Sequence, residues 1–231
     1  MLSYIEKKTK SSMGLEVPYW YWKSEPLNFN KKKVVSFLLK KEKEIINKYP
    51  ASTYADGGTN LPNSLTSRHQ SYNFLKISSP VLMGLQKHII KNIKTCIKRF
   101  NREGKQIPIN DLWIMCWFNV LRKNQKIGKH SHLHVPGRNC LWDTEKSFLS
   151  GHLTIQAEST HTHYLSICEK YNWSIKNIPG QIIIFPTYVP HYTDETLSKS
   201  TRITVAFDVY DKKELANPAL IATGNCISLT L

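Results

Sequence analysis

The segment PGQIIIFPTYVPH, residues 179–191, places a turn, a buried strand and a histidine in close succession. Pro179 and Gly180 predict the turn, residues 182–184 predict a strand buried on both faces, and Pro186 ends that strand. His191 then lies on the expected loop. A histidine just beyond an apolar strand is well placed at the mouth of a β-barrel, where a pocket and open metal-coordination positions can meet.

Segments on either side of this histidine repeat the β pattern. Short runs rich in β-branched and aromatic residues, separated by turn residues, occupy 112–122, 129–134, 148–157, 171–177, 181–188 and 201–210. This spacing predicts a sandwich, barrel or jelly roll. Two helices are predicted before them, one over residues 28–49 and one that begins at Ser79-Pro80 and ends at Gly104.

The expected fold class is therefore mainly β with N-terminal helices (α+β). Residues 1–107 are expected to form an irregular arm, which includes the first 30 residues, and a helical support layer. Residues 108–211 are expected to form the β core that carries the catalytic site, and residues 212–231 a C-terminal tail. All three segments are expected to share one core as a single domain.

The motif HSHLH, residues 130–134, provides the densest group of candidate metal ligands. In a strand, residues two apart point to the same face, so His130 and His132 can hold one ion at about 2.0–2.1 Å. The pair His132 and His134 is the alternative register. With His191, either pair forms a three-histidine site.

Arg202 is a candidate anion-binding residue on the last predicted core strand. In TRITVAFDV, residues 201–209, Arg202 alternates with apolar residues and shares a strand face with Thr204. A buried arginine requires an anion, and its planar fork fits a carboxylate. A metal with three protein ligands and a nearby arginine are what a chelating 2-oxo acid requires.

These motifs together resemble the iron(II)/2-oxoglutarate-dependent oxygenases. The resemblance rests on WFN (117–119), HSH (130–132), LSG (149–151), PGQIIIFPTYVPH (179–191) and RIT (202–204), in the order HxH…H…R-x-[ST]. It implies a double-stranded β-helix core of the jelly-roll or cupin type, with Fe(II), 2-oxoglutarate as co-substrate and dioxygen. His130, His132 and His191 are the implied metal ligands, and these three with Arg202 the catalytic residues.

The resemblance also implies cofactor-binding roles. Arg202 and Thr204 are expected to bind the distal carboxylate of 2-oxoglutarate, with Asn119 and Tyr164 as further contacts. The sequence departs from most of the superfamily at His132, where a carboxylate ligand is usual. Direct ligation by His132 is the preferred interpretation, with Glu158, Asp143 and Glu145 as candidate carboxylates.

Two further features near these motifs suggest hypotheses of their own. His161 and His163 share one face and are candidates for a second metal site or for an ordinary strand end. His152 is expected to be structural or to support a ligand, and residues 135–147 are expected to form a lid over the pocket.

Composition limits the partners and the location. The net charge is +15, but only six of the 32 basic residues are arginine, the residue preferred for phosphate and base contacts, so nucleic acid is possible but not favoured. A small molecule or a peptide is the expected substrate. Five scattered cysteines without a CxxC motif and no long apolar stretch favour a cytoplasmic protein with no membrane contact. The oligomeric state is left open.

The sequence therefore predicts a non-haem Fe(II)- and 2-oxoglutarate-dependent dioxygenase that hydroxylates a C–H bond. Two alternatives stay open at this point. One is a three-histidine zinc hydrolase or lyase, because the same ligands can activate water on zinc. The other is a cupin-like protein that binds an anion without catalysis.

Overall fold

The computed structural model describes residues 3–10, 16–51, 61, 63–102, 112–132, 149–166, 172–210 and 221–229. Two long helices, α1 (Lys31–Lys48) and α2 (Pro80–Arg102), lie at the predicted positions. Asn30 caps α1 by accepting a hydrogen bond from the Lys33 backbone N–H at 3.0 Å, and Ser79 caps α2 in the same way from Val81 at 3.2 Å. Two 3₁₀ helices, Thr66–Arg68 and Phe74–Lys76, lie between them.

Ten strands form two antiparallel sheets. The strands are β1 (Ser3–Lys10), β2 (Glu16–Lys23), β3 (Leu112–Leu121), β4 (Leu149–Gln156), β5 (His161–Tyr164), β6 (Trp173–Lys176), β7 (Ile182–Pro186), β8 (His191–Thr193), β9 (Arg202–Tyr210) and β10 (Ile227–Leu229). The major sheet has the order β1-β2-β7-β4-β9-β3-β10 and the minor sheet has the order β6-β5-β8. The mainly β, α+β fold class of the jelly-roll type is confirmed.

The two faces of the major sheet differ in character. Ile203, Val205 and Phe207 of β9 are fully buried in the same hydrophobic cluster as residues of α1 and α2, so the helices cover this outer face. The opposite, inner face packs against the minor sheet, because Tyr164 and Ile175 share a second cluster with residues of β7. A hydrophobic outer face and a more polar inner face follow directly from the period of two in the strands.

The inner face of β3, β4 and β9 carries a set of buried polar side chains. Register pairs Asn119 and Thr154 with Thr204, and Ser150 with Asp208. The buried polar members of this face are Asn119, Ser150, His152, Thr154, Arg202, Thr204 and Asp208. Buried polar groups need partners, so this face is the place where the fold can hold a polar ligand.

Gly151 allows β4 to approach its neighbours closely. A Cβ atom at this position would lie 2.4 Å from the Phe207 ring and 2.6 Å from the carbonyl oxygen of Ile183. The LSG motif thus has a packing reason: a side chain here would push β4 away from β7 and β9.

The N-terminal segment differs from the expectation of an irregular arm. β1 and β2 form a hairpin, and β2 pairs with β7 through Trp22 opposite Ile184 and Lys23 opposite Ile183. At the other end of the sheet, β10 pairs with β3, so part of the expected tail is a strand. The predicted strand at 129–134 is reduced, over its described residues, to an isolated bridge at His130. The three-segment division stays a prediction.

No helix among the described residues combines the length and apolarity that a bilayer crossing requires.

Candidate metal centre

His130, His132 and His191 come together at one end of the minor sheet. His130 and His191 form an antiparallel bridge, and the backbone N–H of His132 donates to the carbonyl oxygen of Thr187 at 3.1 Å. Their ring centroids are 4.3 to 5.1 Å apart, and one ligand atom from each ring falls within 4.8 Å of the others. Of the described residues, only these three form such a group of histidine, cysteine or carboxylate ligands.

Hydrogen bonds at Nδ1 fix the orientation of the three rings. Nδ1 of His130 lies 2.9 Å from the carbonyl oxygen of Gly128, and Nδ1 of His191 lies 3.1 Å from that of Val189. Nδ1 of His132 lies 2.6 Å from Oδ1 of Asp208. Because carbonyl oxygens only accept, Nδ1 of His130 and His191 must carry the proton, which leaves the Nε2 lone pair as the ligand.

The spacing of the Nε2 atoms fits a shared cation. Nε2 of His130 lies 3.1 Å from Nε2 of His132. Two lone pairs at this distance repel one another, whereas two nitrogens that bind one ion at about 2.0–2.1 Å are separated by a similar amount. Burial, with the neighbouring His130 and His132, lowers the pKa of His191 well below its ordinary value, so its ring is neutral as a metal ligand must be.

Arg202 is a buried cation at the inner face of the sheet. Arg202 is 3% exposed, and its Nε and Nη1 atoms have no hydrogen-bond partner among the described residues. Burial lowers the pKa of Arg202 to about 10, an effect opposed by Tyr164 and Asp194. The guanidinium remains charged at neutral pH, and a buried charge with free donors requires an anion.

The other three predicted cofactor-binding residues are Thr204, Asn119 and Tyr164, and the structure gives each a different setting. Thr204 lies on the same inner face of β9, opposite Asn119. Oδ1 of Asn119 accepts a hydrogen bond from the Thr66 hydroxyl at 2.6 Å, so the amide nitrogen is its available donor. The ring of Tyr164 stacks on His191 with centroids 6.0 Å apart.

His152 and Tyr164 form a buried neutral pair beside His191. Oη of Tyr164 lies 2.8 Å from Nε2 of His152. Burial, with Arg202 and His132 nearby, lowers the pKa of His152 to about 3, and burial raises the pKa of Tyr164 well above its usual range. The tyrosine hydroxyl therefore donates to a neutral imidazole, and the Nδ1 atom of His152 has no partner among the described residues.

Comparison with known proteins identifies this arrangement. Residues 115–208 match the family model described as "Putative 2OG-Fe(II) oxygenase". This segment is similar to the 2OG-Fe(II) oxygenases. The match contains all five motifs on which the resemblance rests, and it implies Fe(II), 2-oxoglutarate and dioxygen at the oxygenase core. A search of curated proteins gives no match.

Solved structures similar to the chain carry related descriptions. One is a prolyl-4-hydroxylase from Pseudomonas putida, with a TM-score of 0.33 and 11% identity over 42% of this chain and 48% of that chain. Another is a 2OG-Fe(II) family oxidoreductase from Burkholderia pseudomallei, with a TM-score of 0.35 and 12% identity over 44% of this chain and 46% of that chain. A prolyl hydroxylase from Trichoplax adhaerens matches with a TM-score of 0.45 and 10% identity over 84% of this chain and 84% of that chain. The chain spans about half the length of the first two proteins.

Among the described residues, the carboxylate in contact with a candidate metal ligand is not one of those predicted from the sequence. Asp208, 6% exposed, contacts His132, whereas the predicted candidate Glu158 accepts a hydrogen bond from Ser198 at 2.5 Å on the surface. Asp143 and Glu145 lie outside the described residues. The alternation that placed Arg202 and Thr204 on the inner face also includes Asp208, so the strand period was the signal that could have found it.

The second histidine pair is bound to a different carboxylate. Nε2 of His163 lies 2.6 Å from Oδ1 of Asp194, and Nδ1 of His161 lies 3.1 Å from Oδ2. These side chains are partly exposed, and they form no metal-ligand group by the spacing that unites the other three histidines. His134 and the proposed lid at 135–147 lie outside the described residues.

Proposed function

We propose that the protein is an Fe(II)- and 2-oxoglutarate-dependent dioxygenase that hydroxylates a C–H bond of its substrate. One observation carries the proposal: one ligand nitrogen from each of three histidines lies within 4.8 Å of the others, and the inner face of the same fold carries a buried arginine whose Nε and Nη1 have no partner among the described residues. The histidines fit a metal, and the arginine fits the distal carboxylate of a dicarboxylic 2-oxo acid.

The roles of the residues follow from their chemistry. His130, His132 and His191 would hold Fe(II) through Nε2. Arg202 would bind the distal carboxylate of 2-oxoglutarate with two N–H donors, with Thr204 donating a further hydrogen bond. When bound together, Fe(II), 2-oxoglutarate and dioxygen supply a reaction that puts one oxygen atom into the substrate and the other into succinate, with release of carbon dioxide.

Asn119 and Tyr164 would shape the space between the metal and Arg202. The amide nitrogen of Asn119 is a donor directed by the hydrogen bond that Thr66 gives to its Oδ1. The Tyr164 ring lies between His191, on which it stacks, and His152, to which it donates, so it orients both the ligand and the pocket wall. Its hydroxyl is already used by His152, and reaching a cofactor carboxylate would require it to exchange that partner.

The Trp117 ring packs against the candidate ligand His132. Its ring stacks on His132 with centroids 5.9 Å apart, and His69 lies against it at 5.3 Å. Its buried indole Nε1 has no partner among the described residues, so it can donate to a substrate acceptor. We propose that the substrate is a small molecule or a peptide that reaches the metal past the Trp117 ring.

We also propose a cytoplasmic location. Support comes from the three described cysteines, Cys96, Cys116 and Cys226, which are buried free thiols as expected in a reducing compartment.

Anaerobic titration with Fe(II) and 2-oxoglutarate tests the activity proposal. The wild-type protein should show a metal-to-ligand charge-transfer band at one equivalent of each, and His191→Ala should abolish it. His163→Ala is the matched control, because it removes a histidine that is bound to a carboxylate but lies outside the metal group, and it should keep the band.

Two results would contradict the proposal. Tight zinc at one equivalent with no affinity for 2-oxoglutarate would indicate a zinc hydrolase or lyase. Salt-sensitive binding of oligonucleotides that a chelator does not affect, with no metal bound, would indicate a binding module.

A further inference from the structure

Asp208 is a buried carboxylate whose partners are unusual for its charge. The residue is 6% exposed, and its Oδ1 lies 2.6 Å from Nδ1 of His132 and 2.6 Å from the Ser150 hydroxyl. Among the described residues, no lysine or arginine forms an ion pair with it. A buried anion is costly unless hydrogen bonds and a nearby positive charge compensate it, and a cation bound by His132 would be such a charge.

Asp208 is not part of the candidate ligand group and instead contacts one of its histidines. It contacts Nδ1 of His132, whereas the Nε2 of that ring faces Nε2 of His130. A cation bound at Nε2 would polarise the imidazole and strengthen the hydrogen bond that Nδ1–H donates to the carboxylate. The carboxylate and the metal would then compensate each other's charge through the ring.

This arrangement addresses the departure of the site from the common ligand set. Two histidines and a carboxylate bind a ferrous ion in most sites of this type, whereas three imidazoles supply no negative charge. We propose that Asp208 is a positioning residue that orients His132 and supplies, through that imidazole, the negative charge that a carboxylate ligand would otherwise bring. The inference rests on the proposed function and deepens it.

Ser150 affects the hydrogen bond between His132 and Asp208, because it contacts the same carboxylate. Its hydroxyl donates to the oxygen of Asp208 that also accepts from His132, so the two donors share one acceptor. Removing the serine hydroxyl leaves the full charge of that oxygen to His132, whereas removing the charge of Asp208 leaves His132 with a neutral acceptor. The two changes therefore predict opposite effects on the metal.

Cobalt(II) binding to metal-free protein tests the role of Asp208 without 2-oxoglutarate. Asp208→Asn keeps the shape and an acceptor oxygen but loses the charge, and it should weaken Co(II) about 10- to 100-fold in competition with a chelator. Asp194→Asn is the matched control, because Asp194 also contacts histidines but none of the metal group. It should leave Co(II) affinity unchanged.

The charge-transfer band of the Fe(II)–2-oxoglutarate complex gives a readout that a purely structural role would not move. Asp208→Asn should shift the band to shorter wavelength, because less negative charge reaches the metal electrons that are excited. Ser150→Ala should shift it to longer wavelength, and this variant tests the idea even if Asp208→Asn folds poorly.

The outcomes separate the two proposals. Equal Co(II) affinity of wild type and Asp208→Asn, or an unmoved band in both variants, overturns the role of Asp208. Co(II) binding that depends on Asp208, with no 2-oxoglutarate band in the wild type, supports the role and overturns the dioxygenase proposal. A wild-type protein that binds no Co(II) overturns both.

Discussion

His130 and His191, which are far apart in the sequence, exchange two backbone hydrogen bonds. The N–H of His130 donates to the carbonyl oxygen of His191 at 3.1 Å, and the N–H of His191 donates to that of His130 at 2.9 Å. The metal ligands are thus positioned by backbone pairing before any ion binds. Such preorganisation reduces the free energy that metal binding must spend on ordering the chain.

Metal should stabilise the folded protein because the three ligands come from two segments that are distant in the sequence and meet only in the folded state. At a free Co(II) concentration 100 times the dissociation constant, the free energy of unfolding should rise by about 2.7 kcal/mol. Thermal unfolding of metal-free protein with and without Co(II) measures the effect. A rise of the same size in His191→Ala would show that the ion binds elsewhere.

Arg202 should control the affinity for 2-oxoglutarate. Arg202→Gln removes the charge and the paired donors, and it should weaken 2-oxoglutarate about 10- to 100-fold while Co(II) affinity is kept. Arg202→Lys keeps a charge without the planar fork and should give an intermediate loss. Calorimetric titration of the Co(II)-loaded variants distinguishes the three cases, and wild-type affinity in Arg202→Gln would place the carboxylate elsewhere.

The stability of the metal-free protein should fall in mild acid partly through His152. Burial holds the pKa of His152 at about 3 in the fold, whereas an unfolded histidine titrates near about 6.5. The unfolded chain therefore takes up a proton first as the pH falls. The contribution of His152 is complete above about pH 6.5 and is lost progressively towards pH 3, at up to about 1.4 kcal/mol per pH unit.

His152→Gln removes this titration but keeps an acceptor for Tyr164. Urea unfolding at pH 7 and pH 5 should show a smaller loss in the variant than in the wild type, by up to about 2 kcal/mol. Other groups titrate in both proteins, so the difference between their losses isolates His152. Equal losses would mean that His152 is protonated in the fold.

Gly151 should be intolerant of a side chain. In Gly151→Ala the new Cβ would lie 2.4 Å from the Phe207 ring, and the resulting displacement should cost about 1–3 kcal/mol in urea unfolding. Gly84→Ala in α2 is the control, because beyond the adjacent residues and the local helix backbone no described atom lies within 4 Å of its Cβ position, and it should be neutral or stabilising. A double variant with Phe207→Leu should recover part of the loss.

Local patterns predicted the parts of the fold that depend on local chemistry. Helix α2 follows from its serine cap, its proline and an apolar stripe, and β9 follows from alternation that puts Arg202 on one face and Phe207 on the other. The sequence did not predict the hairpin of β1 and β2, because β1 is rich in lysine and shows little apolar alternation. Such a strand forms because of the neighbouring strand with which it pairs. β8 has three residues, too few for any periodic signal.

The metal site likewise combines features that the local sequence predicts with contacts between residues that are distant in the sequence. The spacing of His130 and His132 indicated a shared ion, but the bridge that brings His191 to them is a contact distant in sequence. Asp208 lies at an inward-facing position of a predicted strand, whereas the candidate carboxylates Glu158, Asp143 and Glu145 lie outside the predicted strands. On a buried strand, a charged residue is the rarer and more informative observation.

Diffraction from a crystal soaked with Mn(II), as a substitute for Fe(II), and a 2-oxo acid analogue tests the central claim most directly. We predict an anomalous peak at about 2.0–2.2 Å from Nε2 of His130, His132 and His191, with the distal carboxylate of the analogue on Arg202. An ion away from these three nitrogens, or an analogue that leaves Arg202 without an anion, would contradict the account.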